Sequence, residues 1–143
     1  MSLLRLSYPK LSPAAYAGLI ACKNALETSS LSSELVELVY LRTSQINGCA
    51  FCLEMHSAAL RKRGTAQEKL DALAGWRVSE RFSDRERAAL EWTESVTLLS
   101  AQNTDDAVWQ RVKAHFSDEE MSDLTIAAGL MNAFNRVAVS LRQ

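Results

Sequence analysis

The chain has 143 residues, a length that fits one domain with its own core, and we expect a single domain over residues 1–143. Its 16 basic and 17 acidic side chains give a net charge of −1, which disfavours nucleic-acid and anionic-membrane partners. No stretch approaches the roughly 20 apolar residues that a membrane span needs, and the start is too weakly apolar for a signal peptide, so we expect a cytoplasmic protein.

Helix signals follow one another along the whole chain, and they predict an all-α fold of about six or seven helices. Both prolines, Pro9 and Pro13, lie before residue 14, so the remainder lacks the strongest helix breaker. The predicted helices cover residues 13–26, 32–45, 49–62, 66–74, 84–100, 104–115 and 118–141. Their predicted starts are the N-caps Ser12, Ser32 or Ser33, and Thr104, and the capping boxes Thr65–Glu68, Ser83–Glu86 and Ser117–Glu120.

The last predicted helix is unusual because the segment LTIAAGLMNAFNRVAVSL, residues 124–141, is apolar on nearly every side. Such a helix is normally buried on most of its faces. In a domain this small, a second subunit covers such a helix more easily than the domain does alone. The pattern therefore favours a homo-oligomer, although a well-covered central helix explains it too.

The segment CAFCLEMH carries Cys49, Cys52 and His56. If a helix begins at Cys49, these three side chains share one face. In a reducing compartment this motif indicates a redox-active dithiol or a metal site more often than a structural disulfide. A thioredoxin fold needs βαβ units, which the sequence lacks. A zinc site needs four ligands and remains a weak alternative, because beyond these three only distant residues such as His115 are available.

Glu37 is the only charged residue of LVELVYL, residues 35–41, so it is either the wet edge of a buried helix or a buried acid. The break at Asn47-Gly48 predicts that helices 33–45 and 49–62 form an antiparallel pair. Glu37 then lies ten residues before Asn47 and His56 lies nine after it, which places the two at nearly the same height. We expect Glu37 to face His56 and to take part in a proton relay.

The sequence leaves the nucleophile of this dithiol open. The start of a helix favours a thiolate at Cys49, whereas a neighbouring imidazole favours Cys52. Cys22 has no thiol or histidine near it in sequence, and we expect it to be a buried small hydrophobe in the first long helix.

The spacing Glu37–x11–Cys49–x2–Cys52–x3–His56 resembles the active site of the AhpD-like alkylhydroperoxidases, in the peroxidase-related branch of the carboxymuconolactone decarboxylase superfamily. The segments RTSQINGCAFCLEMHSAALRKRG, LAGWR, FSDRERAALEWTE and MNAFNRVAVSLR are similar to that branch too, and they extend the likeness over most of residues 32–142, with the motif core at about 32–64. The resemblance implies an all-helical fold and a trimer or hexamer without a cofactor.

The resemblance also implies roles for the site residues. Cys52, flanked by Glu37 and His56, is the expected peroxidatic thiol, and Cys49 is the expected resolving thiol that closes a disulfide. A dithiol reductant, protein or lipoyl type, then reopens it. The well-known AhpD members carry a histidine where this chain has Phe51, so their substrate and reductant do not transfer directly.

Three polar residues of the last helix, Asn132, Asn135 and Arg136, match the C-terminal pattern of the family. On so apolar a helix we expect them to be hydrogen-bonded anchors or interface residues rather than part of the site. Two further functions remain open. The dithiol could serve a non-enzymatic redox sensor or interaction protein, or the chain could decarboxylate a cyclic lactone acid, a reaction for which the CxxC motif is not needed.

Overall fold

The computed structural model describes residues 3–102 and 104–143, and every regular element within them is a helix, as predicted. A 3-10 helix, Leu73–Val78, lies between the fifth and sixth of eight α-helices. The α-helices are α1 (Tyr8–Leu11), α2 (Pro13–Leu26), α3 (Ser33–Asn47), α4 (Ala50–Lys62), α5 (Gln67–Asp71), α6 (Asp84–Thr97), α7 (Asp106–Lys113) and α8 (Asp118–Leu141). The described residues thus hold more helices than the expected six or seven, because α1 is additional and the predicted helix 66–74 is divided in two.

The predicted antiparallel pair is formed by α3 and α4. Ser32 begins α3, since its hydroxyl accepts a hydrogen bond from the backbone N–H of Leu35 at 3.2 Å. Gly48 ends the helix in the left-handed region, with φ of 66°, where glycine carries no steric penalty. Gly64 ends α4 in the same region with φ of 92°. The short turn between the two helices brings their inner faces together.

Three helices, α3, α6 and α8, form the centre of the molecule, and α3 also packs against α4. One hydrophobic cluster lies on the α8 side of α3 and another lies on the α4 side. Neighbouring residues Leu38 and Val39 point into different clusters, and both are completely buried. Because α3 is buried on opposite sides, only a narrow part of its surface can hold a polar side chain in contact with solvent. Glu37 lies on that part, with 14% of its side chain exposed.

The buried carboxylate of Glu94 ties α6 to two other elements. It accepts hydrogen bonds from Arg42 Nε on α3 at 3.0 Å and from Trp76 Nε1 at 2.8 Å. Arg77 donates a third at 3.0 Å. Burial opposes ionisation of Glu94, but the hydrogen bonds from Trp76 and Arg77 and the charge of Arg42 outweigh it and lower the pKa of the carboxyl.

Several predicted helix ends are wrong. Ser12 is the N-cap of α2 as predicted, although its side chain makes no capping hydrogen bond. Thr65 does not form a capping box, because its hydroxyl instead donates to Glu34 of α3 at 3.2 Å. Asp105 rather than Thr104 caps α7, which fits the better N-cap preference of aspartate. Helix α6 ends at Thr97 rather than at residue 100, whereas both of the other predicted capping boxes, which start α6 and α8, are confirmed.

Helix α8 is long and apolar enough, by length and composition alone, to cross a membrane. This corrects the expectation that no segment comes close to that length. In the fold α8 packs against α2, α3, α4 and α6 as the core helix of the domain. Burial inside the domain accounts for only part of its apolar surface, because 39% of its most apolar window is buried and Ile126 and Val139 are among the apolar residues that stay exposed.

Candidate active site

The two cysteines of the CxxC motif lie where α3 turns into α4. Cys49 is the N-cap of α4, and its Sγ accepts a hydrogen bond from the backbone N–H of Cys52 at 3.4 Å. The helix thus begins at Ala50, one residue later than expected. A disulfide joins the two cysteines across a Cα–Cα distance of 5.3 Å, and each residue is 2% exposed. Both sulfurs lie at the positive end of the helix dipole, which favours the thiolate form after reduction.

Glu37 and His56 meet across the α3–α4 pair. Oε2 of Glu37 lies 2.7 Å from Nδ1 of His56, so the sequence spacing correctly placed the two at one height. His56 is 1% exposed, whereas the side chain of Glu37 keeps 14% of its surface in contact with solvent. The pair therefore connects a fully buried imidazole to a carboxylate at the edge of the domain.

The contact with Glu37 determines which imidazole nitrogen can act as a base. An ionised Glu37 carboxylate accepts the Nδ1 proton, which leaves Nε2 of a neutral imidazole with a free lone pair. Nε2 is buried and has no hydrogen-bond partner among the described residues. Side chains on a helix lean towards its N-terminus, so His56 leans towards Cys52, one turn earlier on the same face.

Tyr40 forms the other wall of the imidazole site. It lies one turn after Glu37 on α3, and its ring centroid is 5.2 Å from that of His56. Burial, with a smaller contribution from the charge of Glu37, raises the pKa of the Tyr40 hydroxyl well above its usual value of 10.0. Tyr40 is therefore neutral at physiological pH, and its ring holds the imidazole in position without adding charge.

A cavity of about 140 Å³ reaches Cys52 from the outside. Its walls are mostly aromatic or apolar and include Tyr8, Tyr16, Phe51, Met55 and Phe134. Phe51, the residue that departs from the AhpD pattern, is 41% exposed and forms part of the rim. The cavity gives a small apolar molecule access to Cys52.

A second and smaller cavity, of about 40 Å³, opens beside Glu37. Glu37, Tyr40 and Arg63 line it, whereas Cys52 lines only the first cavity. Lys23 of α2 lines both cavities. Glu37 thus lines a cavity that neighbours the one reaching Cys52 but does not itself include the sulfur.

Asparagines of α8 anchor the turn that carries the CxxC motif. The Nδ2 group of Asn47 donates to Oδ1 of Asn132 at 3.0 Å and to Oδ1 of Asn135 at 3.1 Å. Asn135 is completely buried and donates to the hydroxyl of Ser44 at 3.1 Å, and Arg136 donates to Oδ1 of Asn132 at 2.7 Å. The expectation of hydrogen-bonded anchors is confirmed for Asn132 and Asn135, whereas Arg136 is exposed and donates to Asn132 of its own helix.

The residues considered for the weak zinc alternative do not form a four-ligand cluster in the described structure. His115 lines a separate surface groove with Arg87 and Arg111. Residues 3–102 and 104–143 contain no group of three or more Cys, His, Asp and Glu side chains that could hold a metal ion. Cys22 is only half-buried and packs at the edge of the larger hydrophobic cluster, so the expectation of full burial is wrong.

The structure brings together all four residues singled out from the sequence, namely Glu37, Cys49, Cys52 and His56. It adds others that sequence analysis missed. Tyr40 had a usable signal, because it lies one turn from Glu37 on the same helix. The cavity residues of α1 and α2, such as Tyr8, Tyr16 and Lys23, had none, because only tertiary packing brings these helices to Cys52.

Comparison with known proteins agrees with this architecture. The sequence model of the carboxymuconolactone decarboxylase family matches residues 13–95, which is more than half of the chain. The uncharacterized protein YdfG of Bacillus subtilis (strain 168) is 31% identical over 137 residues, which cover 96% of this chain and 93% of YdfG.

Two solved structures extend the likeness to the fold. One is a protein of unknown function from Agrobacterium tumefaciens, described as a candidate antioxidant defence protein AhpD. It is 37% identical with a TM-score of 0.94, and the match covers 98% of this chain and 96% of that one. The other is an uncharacterized peroxidase-related protein from a Silicibacter species, which is 28% identical with a TM-score of 0.80 over 89% of this chain and 68% of that one.

Proposed function

Because the chain belongs to the carboxymuconolactone decarboxylase family and has an AhpD-like fold, we propose that it is a thiol-dependent peroxidase that cycles through the Cys49–Cys52 disulfide. The observation that carries this proposal is the 2.7 Å contact between Glu37 and His56, one turn from Cys52. A dithiol needs no such pair to form a disulfide, whereas a peroxidatic thiol needs a base to ionise it and an acid for the leaving oxygen.

In the first step His56 Nε2 takes the proton of the Cys52 thiol, and the thiolate attacks the outer oxygen of a hydroperoxide. A sulfur–oxygen bond forms and the O–O bond breaks. Cys52 becomes a sulfenic acid, and the substrate is reduced by two electrons to an alkoxide. The imidazolium returns its proton to that alkoxide, which leaves as an alcohol. Glu37 stabilises the imidazolium between the two transfers.

In the second step the Cys49 thiol attacks the sulfur of the Cys52 sulfenic acid. The sulfur–oxygen bond breaks, and the sulfenic oxygen leaves as water. This closes the disulfide that joins the two residues in the structure. An external dithiol then supplies two electrons and two protons, reopens the pair and becomes a disulfide itself. Cys52 lines the outer cavity, so we assign it the peroxidatic role and Cys49 the resolving role.

Phe51 changes the proton path relative to the better-known AhpD members. A phenyl ring carries no proton, so the relay in this chain consists of His56 and Glu37. Phe51 instead lies at the rim of the cavity that reaches Cys52, where its ring contributes apolar surface. We therefore assign Phe51 to substrate or partner contact rather than to proton transfer.

The proposal extends to partners, assembly and location. The reductant is a dithiol of protein or lipoyl type, because a single electron pair must be delivered to a disulfide. The chain forms a homo-oligomer, a trimer or a hexamer, as the family resemblance implies. A cytoplasmic location suits this cycle, because the reducing poise there keeps such a donor reduced.

Peroxide consumption in the presence of dithiothreitol tests the proposal. The purified protein should consume an organic hydroperoxide with sustained turnover, and Cys52→Ser should abolish it. Without any reductant, pre-reduced Cys49→Ser should consume one equivalent of hydroperoxide and then stop, with a sulfenic acid on Cys52 that dimedone traps. Mass spectrometry of the wild type after peroxide should find the Cys49–Cys52 disulfide. Absence of both the disulfide and the sulfenic acid would sink the peroxidase assignment.

A redox sensor is the second candidate, because each cysteine is only 2% exposed and the disulfide is poorly accessible to a bulky reductant. A sensor is oxidised once per chain and is not recycled efficiently. Steady-state kinetics separate the two functions, since many turnovers per subunit count against sensing. A double variant that lacks both the Cys49 and the Cys52 thiol tests the decarboxylase alternative. It should retain activity on a lactone acid only if the chain is a decarboxylase.

A further inference from the structure

Lys23 is a half-buried cation without an anionic partner beside the catalytic dithiol. It lines the cavity that reaches Cys52. None of the ion pairs or side-chain hydrogen bonds found in residues 3–102 and 104–143 includes its ammonium group. An ammonium group that is unpaired on the wall of a cavity is placed to bind an anion that enters it.

From this we infer that Lys23 binds a carboxylate of the substrate, so that the cavity accepts a hydroperoxide with a compact apolar body and an anionic end. The inference rests on the proposed peroxidase function and adds the substrate class. Neutral hydroperoxides and hydrogen peroxide lack the group that Lys23 would bind.

The layout of α2 supports this arrangement. Tyr16, Ile20 and Lys23 follow one another at spacings of four and three residues, so they form one stripe along the helix, and all three line the cavity. The stripe is aromatic at one end, aliphatic in the middle and cationic at the other end. Tyr16 and Lys23 are seven residues apart, which corresponds to about 10 Å along the helix axis. A cavity of this form suits a molecule that is apolar along its length and charged at one end.

The size of the cavity limits the apolar body. Its volume is about 140 Å³, and apolar cavities of about 150 Å³ hold one benzene ring. The rings of Tyr8 and Phe51 are available for edge or face contacts with an aromatic group. A single aryl ring or a short branched alkyl group fits, whereas a fused ring system does not.

Two carboxylates compete for Lys23, and neither satisfies it. Glu27 lies one turn later, at the C-cap of α2, and both Glu27 and Glu37 line the neighbouring smaller cavity together with Lys23. Neither forms an ion pair with Lys23, and Glu37 is already engaged with His56. The ammonium group therefore remains available to a ligand in the cavity that reaches Cys52.

A matched pair of substrates tests the inference. Cumene hydroperoxide and its para-carboxylate have the same ring and the same peroxide, and they differ in the carboxylate group alone. With dithiothreitol as reductant, we expect kcat/KM of the wild type to favour the carboxylate by about tenfold to a hundredfold, chiefly through KM. Lys23→Met should bring the ratio of the two values close to one, and Lys23→Arg should preserve most of it.

Lys62→Met serves as the matched control, because Lys62 is exposed on α4 and lines neither cavity. It should keep the wild-type ratio. A wild-type ratio near one, or a ratio that Lys23→Met leaves unchanged, would overturn the inference while the consumption of cumene hydroperoxide still supported the peroxidase.

A binding measurement covers the case in which neither hydroperoxide is consumed. Calorimetric titration of 4-isopropylbenzoate needs no turnover and reports on the cation site alone. Binding by the wild type that weakens about tenfold or more in Lys23→Met supports a carboxylate site in a protein that is not a peroxidase. Equal binding by both proteins, or none, rejects the site. Circular dichroism of each variant establishes that it is folded.

Discussion

Nδ1 of His56 lies 2.7 Å from the Glu37 carboxylate, while Nε2 of the same ring is buried without a partner among the described residues. One nitrogen is fully satisfied and the other is left free, one turn from Cys52. Burying an unpaired nitrogen costs free energy, and such costs are commonly kept where a group has chemistry to perform. The arrangement is that of a base held in one tautomer by a carboxylate.

Replacing Glu37 by Gln should slow the oxidation of Cys52 about tenfold to a thousandfold, because the imidazolium loses its negative partner. Stopped-flow measurement of sulfenic acid formation at several pH values checks this. Glu34→Gln is the control, because Glu34 lies on the same helix with a side chain that is 45% exposed. Equal rates in Glu37→Gln and wild type would contradict a relay.

Tyr40 should act through its ring rather than its hydroxyl. Because the pKa of the hydroxyl is raised, it stays protonated and uncharged throughout the working pH range. Tyr40→Phe keeps the ring and should change the rate of Cys52 oxidation less than about threefold. Tyr40→Leu removes the 5.2 Å ring contact with His56 and should lower the rate and shift its pH profile. Equal pH profiles for Tyr40→Leu and wild type would show that the ring does not position the imidazole.

Asn135→Ala should reduce the free energy of unfolding by about 1–3 kcal/mol. The change removes partners of Asn47 and Ser44 inside the domain and leaves buried polar groups unsatisfied. Urea denaturation measures the loss. Ser140→Ala on the exposed side of α8 should stay within about 0.5 kcal/mol of wild type. A stable Asn135→Ala variant would mean that the turn carrying the CxxC motif does not depend on this anchor.

Glu94 should make the fold sensitive to acid. Its folded-state pKa lies below the usual 4.5, so its ionised form is favoured by folding. The stabilisation is fully present above pH 4.5 and disappears as the pH falls through the lowered folded pKa. Glu94→Gln should lower the free energy of unfolding by about 2 kcal/mol at pH 7 and reduce its acid dependence. Thermal unfolding between pH 3 and pH 7 checks both, and parallel pH curves for variant and wild type would refute the assignment.

The helices and the stripe of Cys49, Cys52 and His56 were predictable because they follow from local spacing. Capping residues at Ser32, Ser83 and Ser117 and the left-handed glycines act within a few residues along the chain. Even the contact between Glu37 and His56 was predictable, because a short turn between two helices leaves only one way for their inner faces to meet.

Local spacing was less reliable where two neighbouring residues competed for one role. Asp105 rather than Thr104 is the N-cap of α7. The hydroxyl of Thr65 donates a hydrogen bond to Glu34 of α3 instead of forming the expected capping box with Glu68. In both places the free-energy difference between alternatives is small, so a better side chain or a distant contact changes the outcome.

By itself, the sequence determined an all-helical fold and a dithiol next to an imidazole and a carboxylate. Only the tertiary structure decided that Tyr8, Tyr16 and Lys23 lie over Cys52, that Tyr40 packs against His56, and that Asn132 and Asn135 hold the turn. The physical reason is the range of the interactions. Helix caps and turns depend on hydrogen bonds between near neighbours, whereas the walls of a cavity depend on how separate helices pack around a shared core.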